Sequence, residues 1–333
     1  MRFGPVPVAE AAGAVLAHSV RVTGAGDKAR RLPKGNVLSA ADIADLAAEG
    51  VTSVTVARLE AGDIAEDAAA TRLAHALIPD PEAARIRIAR GAKGRVNLHA
   101  EGAGLLRLDR PAIEAVNCVD PMITLATLPD YQRIGAGGMI ATIKIISYAV
   151  AEASLHKAER AGAGALHVAA PVYRAATLIE TRIGAAEPSP KGREAMAARL
   201  DRFGMHLTDR AFAAHEIADL AGAIARAEGE VILILTASAT SDPADVGPEA
   251  LRAAGGRVTR VGMPVDPGNL LFLGHLGDRP VIGLPGCARS PALNGADWVL
   301  ERVICGQEVT SADIAAMAVG GLLKEIPTRP QPR

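Results

Sequence analysis

From residue 174 onward, runs of apolar residues alternate with segments of helical periodicity, and that alternation sets the first expectation. Ala175 to Ile183 (AATLIETRI) reads as a strand, and Lys191 to Phe203 (KGREAMAARLDRF) as an amphipathic helix closed by Gly204. Met205 to Ala211 is a second strand and His215 to Ala227 a second helix. Val231 to Thr236 (VILILT) is apolar at nearly every position, the mark of a strand buried on both faces of a parallel sheet. Pro248 to Ala254 reads as a third helix, and shorter strands follow at Val258 to Val261, Leu270 to Leu273 and Val281 to Leu284. Strand–helix alternation of this kind predicts an α/β domain over about 166–310, a doubly wound, mostly parallel sheet with helices on both faces.

Smaller modules precede it. A small α/β unit is expected over 1–60. There Ser39 and Asp42 form a loose capping box before AADIADLAAEG, Gly50 stops the helix, and Val51 to Val56 (VTSVTV) alternates as a strand. A β-rich module with a linking helix is expected over 61–165. It holds an Ala-rich helix before Pro79, a helix from Asp109 to Asn117, a tight turn at Gly135 to Gly138 and a helix over Val150 to Ala161. A C-terminal helix and a flexible Pro-rich tail are expected over 311–333.

Composition narrows the function. The apolar fraction is 49% with 22% charged residues, which supports a core and excludes a disordered chain. A net charge of −1 gives no basic bias, and one Trp, three Tyr and four Phe leave little for base stacking, so nucleic acid is not an expected partner. Three scattered cysteines suit a reducing compartment. No apolar stretch is long enough to span a bilayer, and the expected location is cytoplasmic. The histidines show no ligand spacing and no C-x-x-C occurs, which argues against zinc; no G-x-S-x-G or P-loop motif occurs either.

Ligands of open α/β sheets bind beyond the carboxyl ends of the strands. Three polar loops fall there. In Thr181 to Gly192 (TRIGAAEPSPKG), Lys191 at a helix start either meets a phosphate or is a solvated charge. Thr236 to Gly247 (TASATSDPADVG) carries the hydroxyls of Ser238, Thr240 and Ser241 with the carboxylates of Asp242 and Asp245. That set reads equally as an anion and Mg²⁺ site or as a turn capping the next helix. In Gly283 to Asn294 (GLPGCARSPALN), Ser290 and Pro291 read as N-cap and first residue of a helix, with Arg289 suited to grip an anion. Cys287 in that loop is either a reactive thiol near a helix N-terminus or an ordinary loop residue.

These loops resemble the molybdopterin-binding domain family, which takes in the gephyrin-like and molybdenum-insertion proteins of bacterial and other molybdenum-cofactor biosynthesis. The resemblance runs from Arg174 to about Gly306. It is carried by Met263 to Trp298 (MPVDPGNLLFLGHLGDRPVIGLPGCARSPALNGADW), with its G-L-P-G loop, and by Asp245 to Ala250 (DVGPEA). Residues 20–60 are similar to the insertion proteins. The resemblance implies binding of molybdopterin or molybdenum cofactor, with Mg²⁺ and a nucleotide as further ligands and with molybdotransferase- or adenylyltransferase-like activity. Asp242 and Asp245 would hold the metal and serve catalysis. Thr181, Lys191, Ser238, Thr240, Ser241, Gly283, Pro285, Gly286, Arg289, Ser290 and Asn294 would bind the pterin and its phosphate.

The chain departs from the family pattern where catalysis needs it. The family's paired glycines stand here as Ala237 and Ser238, a second aspartate as His215, and the asparagine-proline after G-L-P-G as Cys287-Ala288. An alternative is therefore a non-catalytic module that senses or delivers the cofactor to a nucleotidyltransferase or a molybdoenzyme. A homo-oligomer fits either reading. A nicotinamide-nucleotide amidohydrolase is a distant third, with no hydrolase-like module to support it.

Overall fold

The computed structural model describes residues 1–24 and 28–323. The expected tail over 324–333 lies outside the described residues. The chain divides into two compact units, one of residues 1–102 with 106–168, the other of 103–105 with residues from Ala169 onward.

In the first unit, the strands Arg2–Pro7 and Val15–Leu16 flank Ser53–Arg58 in an antiparallel sheet. The helix Ala40–Ala48 starts where expected: Ser39 accepts from the Asp42 N–H, and the Asp42 carboxylate accepts from the Ser39 N–H. Val8, Leu16, Leu38, Leu46, Val54 and Val56 form a core around it. A second core lies between a four-stranded sheet and three helices. The sheet order is Ile123–Thr127, Met139–Ile145, Arg95–Ala100, Ile86–Ile88, and the helices are Glu66–Leu77, Arg110–Val119 and Glu152–Gly162. The last of these, expected as a link, packs into this core through Leu155, Ala158 and Gly162. A Cβ on Gly162 would lie 2.6 Å from Leu77 and 2.7 Å from Val116, so glycine lets the helices approach.

The second unit is built on a seven-stranded sheet. Val231–Leu235 lies at its centre, at most 2% exposed at any position, and pairs in parallel with Ala175–Arg182 on one side and Arg279–Leu284 on the other. The expected strand over 205–211 is two short ones, His206–Leu207 and Ala211–Ala214, both parallel to Ala175–Arg182. The break has a polar cause. The Thr208 and Thr177 hydroxyls bond at 2.8 Å, and Arg210 turns in to the buried Glu180 carboxylate at 2.9 Å. The far edge is antiparallel: Arg279–Leu284 turns back into Phe272–Leu276, which pairs with Arg257–Val261. The sheet is therefore mixed.

The helices Ile217–Arg226 and Val246–Ala253 pack their apolar faces on Ile179, Ile232, Ile234 and Val281. The second of these opens earlier than its Pro248 suggested, because Asp245 caps it. Lys191–Asp201 approaches the alternate side chain Leu235 through Gly192, whose Cβ would lie 2.6 Å from Leu235 Cδ2. The C-terminal helix is Ser311–Ala316, with a Thr310–Asp313 capping box.

Candidate functional site

The parallel register sets Glu180 beside Leu235 and Leu235 beside Leu284, so three strands end side by side. The loops after them are those singled out from the sequence. Hydrogen bonds tie them together at two points. The Thr181 hydroxyl accepts the Ala237 N–H at 2.7 Å and meets His215 Nδ1 at 3.0 Å. Arg289 Nη2 donates to the Thr236 carbonyl at 2.7 Å. Thr181 is buried, so its place is that of a joint between strand ends. His215, set just before the helix Ile217–Arg226, is its satisfied partner.

In the first loop, Lys191 begins its helix with an exposed side chain, and its N–H reaches Ser189 Oγ at 3.4 Å. Arg210 closes the loop from below by donating to the Pro188 carbonyl.

In the second loop, Ser238 and Ser241 are exposed while Thr240 is buried beside Gly247. The two carboxylates are turned onto their own backbone. Asp242 Oδ1 accepts the Ala244 N–H at 2.7 Å. Asp245 takes the Ser241 N–H on Oδ2 at 3.0 Å and the Val246 N–H on Oδ1 at 2.7 Å. Among the described residues no group of three His, Cys, Asp or Glu side chains could hold a metal ion. Both carboxylates thus serve as turn and helix caps, each giving one or two of its lone pairs to backbone N–H groups.

The third loop corrects one expectation. Ser290 and Pro291 do not open the last helix; it runs Gly295–Ile304, with Asn294 as N-cap in a capping box with Asp297. Ser290 instead accepts the Ala292 N–H at 3.2 Å in a local turn. The capping box, two reciprocal bonds at Asn294, outcompetes the single bond that Ser290 offers. Asn294 is buried by that role. Gly283 and Pro285 are buried too, and a Cβ on Gly283 would lie 1.9 Å from the Phe272 ring. Gly286 and Arg289 are exposed.

Sequence reasoning missed the residue that shapes this loop. Arg199, on Lys191–Asp201, is buried and donates to the carbonyls of Ala288 (3.1 Å), Ser290 (2.8 Å) and Ala292 (3.0 Å). Its guanidinium also pairs with Asp297. The available signal was its place three residues after Met196 and beside Leu200, within the apolar stripe of its helix.

Cys287 is exposed as a residue, yet desolvation raises its thiol above the ordinary range, its own backbone N–H being the largest opposing influence. The structure thus opposes the activated-thiol reading.

Among the exposed groups at these strand ends are Ser238, Ser241, Lys191, Arg289, Ser290 and the Gly286 backbone, together with the carboxylates of Glu187 and Asp242. Hydroxyls, an ammonium and a guanidinium form a donor set suited to an anion.

No helix among the described residues is long and apolar enough to cross a membrane. A family described as a domain of unknown function (DUF8806) matches residues 5–58. No curated protein matches. Among solved structures, the chain is similar to a molybdopterin biosynthesis MoeA protein from Pyrococcus horikosii, at 13% identity and a TM-score of 0.32, covering 92% of this chain and 76% of that one. It is also similar to a molybdenum cofactor biosynthesis protein from Pyrococcus furiosus, at 12% identity and a TM-score of 0.25, with 92% and 66% covered. Likeness at this level carries no functional weight.

Proposed function

We propose that this protein binds a phosphorylated pterin of the molybdopterin type at the carboxyl ends of its parallel strands and acts in molybdenum-cofactor biosynthesis as a binding or delivery protein. The reading takes the second unit as a doubly wound molybdopterin-binding domain, on the strength of the G-L-P-G and D-V-G-P-E-A resemblance. The observation that carries it is the Arg289 to Thr236 hydrogen bond, which brings an exposed guanidinium over the hydroxyl-rich second loop. Arg289, Ser290, Ser238 and Ser241 would hold the phosphate, Lys191 would add charge, and the Gly286 backbone would lie against the ring system.

Binding without catalysis is favoured by the carboxylates. Asp242 and Asp245 are committed to backbone N–H groups, and Ala237 stands where the family has a glycine for close approach. The reading therefore requires neither Mg²⁺ nor nucleotide, and a nucleotidyltransferase or molybdoenzyme would receive the pterin.

Anaerobic calorimetric titration with molybdopterin, with and without Mg²⁺ and nucleotide, is the test. Micromolar binding indifferent to both is expected. Arg289→Ala should weaken it by about 1.5–3 kcal/mol, as for a hydrogen bond to a charged group. Absence of binding removes the pterin, and a strict Mg²⁺ requirement restores the enzyme reading.

A further inference from the structure

The first unit holds a cavity of about 810 Å³, within the range of small-molecule sites. It is lined by four cations from three segments: Lys34, Lys93 and Arg95, and Lys144. Glu66 and Asp67 line it too, and both are engaged. Lys144 Nζ lies 3.4 Å from Glu66 Oε2 and donates to the Lys93 carbonyl at 2.7 Å, while Asp67 Oδ1 accepts the Gly94 N–H. Four cations against two carboxylates leave two positive charges in excess. Lys34, Lys93 and Arg95 form no ion pair among the described residues.

The backbone adds a second observation. Ala92 and Arg95 exchange both hydrogen bonds across Lys93 and Gly94, whose φ angles are 54° and 67°. This is a two-residue hairpin turn with both central residues left-handed, where Asn or Gly ordinarily comes first. Lysine occupies that position at a cost of about 1–2 kcal/mol. Gly94 is required beside it, since a Cβ would lie 2.6 Å from Glu66 Oε2 and 2.9 Å from the Ile145 carbonyl. A turn pinned from below by Asp67 and Lys144 thus places two uncompensated cations on the lining, against local preference.

We propose that this cavity binds the phosphate group of a phosphorylated small molecule. A phosphate monoester carries about −1.5 to −2 charge near neutral pH, which matches the excess; a carboxylate would leave one cation unmatched. Ammonium groups act as point charges on such an anion and Arg95 offers a fork. The site is separate from the pterin reading, which concerns the second unit alone.

The test is calorimetric titration of the full chain with inorganic pyrophosphate in low salt, with adenosine triphosphate and acetate in parallel. Pyrophosphate should bind with a dissociation constant near ~0.1 mM, and acetate far more weakly. The double variant Lys93→Asn, Arg95→Gln should weaken binding about tenfold, and Lys34→Gln several-fold. Asn accepts the left-handed backbone, so an unchanged thermal midpoint is expected for the double variant. Tighter binding of the triphosphate would support the proposal with a nucleotide as ligand. Equal affinity would support it for phosphorylated molecules at large. No pyrophosphate binding, equal binding of acetate, or full affinity in both variants would overturn it. So would loss of binding in Arg289→Ala, which would place the ion at the strand ends of the second unit.

Discussion

Arg199 and Asp297 form an ion pair closed off from solvent, their side chains 5% and 4% exposed. The same Asp297 carboxylate caps the last helix through the Asn294 N–H, and the same guanidinium takes three carbonyls of the third loop. A single buried cation therefore holds the loop, the start of the last helix and the helix Lys191–Asp201 in one arrangement.

Removing one partner of a buried pair leaves an uncompensated charge, so Arg199→Met should lower stability by about 3–5 kcal/mol. Arg199→Lys should recover only part, because an ammonium cannot span three carbonyls and a carboxylate. Urea unfolding followed by circular dichroism measures both. A midpoint unchanged in Arg199→Met would dissolve the account of the loop given above.

Thr181→Val removes the hydroxyl that joins His215 to the Ala237 N–H while keeping the shape of the side chain. Losing these part-buried bonds should cost about 1 kcal/mol, whereas Thr181→Ser keeps them and should stay near the parent. Hydrogen exchange at the Ala237 amide should quicken in the valine variant alone.

Gly283→Ala drives a methyl group into the Phe272 ring, with no open space to take it. Overpacking of this kind costs about 1–3 kcal/mol or more. Phe272→Leu should relieve part of that cost, so a double-mutant cycle should show favourable coupling between the two changes. Simple additivity would mean that the strand shifts instead.

Asp42 is held below the ordinary aspartate value of 3.8, first by the Ser39 N–H and then, against desolvation, by the Ser39 hydroxyl and Arg30. Because its folded-state pKa is lowered, the stability it contributes is present above 3.8 and is lost as pH falls from there through the folded value. Asp42→Ala should cost about 1 kcal/mol at neutral pH, and the difference from the parent should vanish in strong acid. A difference constant across that range would contradict the assignment.

Cys287 should alkylate slowly at neutral pH, since burial raises its thiol and lowers the thiolate fraction. The rate should climb only in the alkaline range, measured with iodoacetamide in a Cys118→Ser background to remove the other exposed thiol. Rapid reaction at neutral pH would revive the activated-thiol reading.

Sequence by itself determined what depends on neighbours along the chain. The apolar run Val231–Leu235, the capping box at Ser39 and Asp42 and the Asp109 cap can all be read from residue type and spacing, and all are present. Locality also explains the failures. Ser290–Pro291 carries a helix-start signal, but Asn294 and Asp297 carry a stronger one, and only packing on Arg199 shows which prevails. The strand break at Thr208–Arg210 answers to Glu180 and Thr177, about thirty residues earlier in the chain. The roles of Asp242 and Asp245 stayed open for the same reason: a carboxylate rich in lone pairs suits a metal or a backbone N–H, and only the fold decides which lies within reach. For Arg199 the helical stripe signals burial, but its role stayed hidden because a buried charge is defined by partners that the sequence places about a hundred residues away.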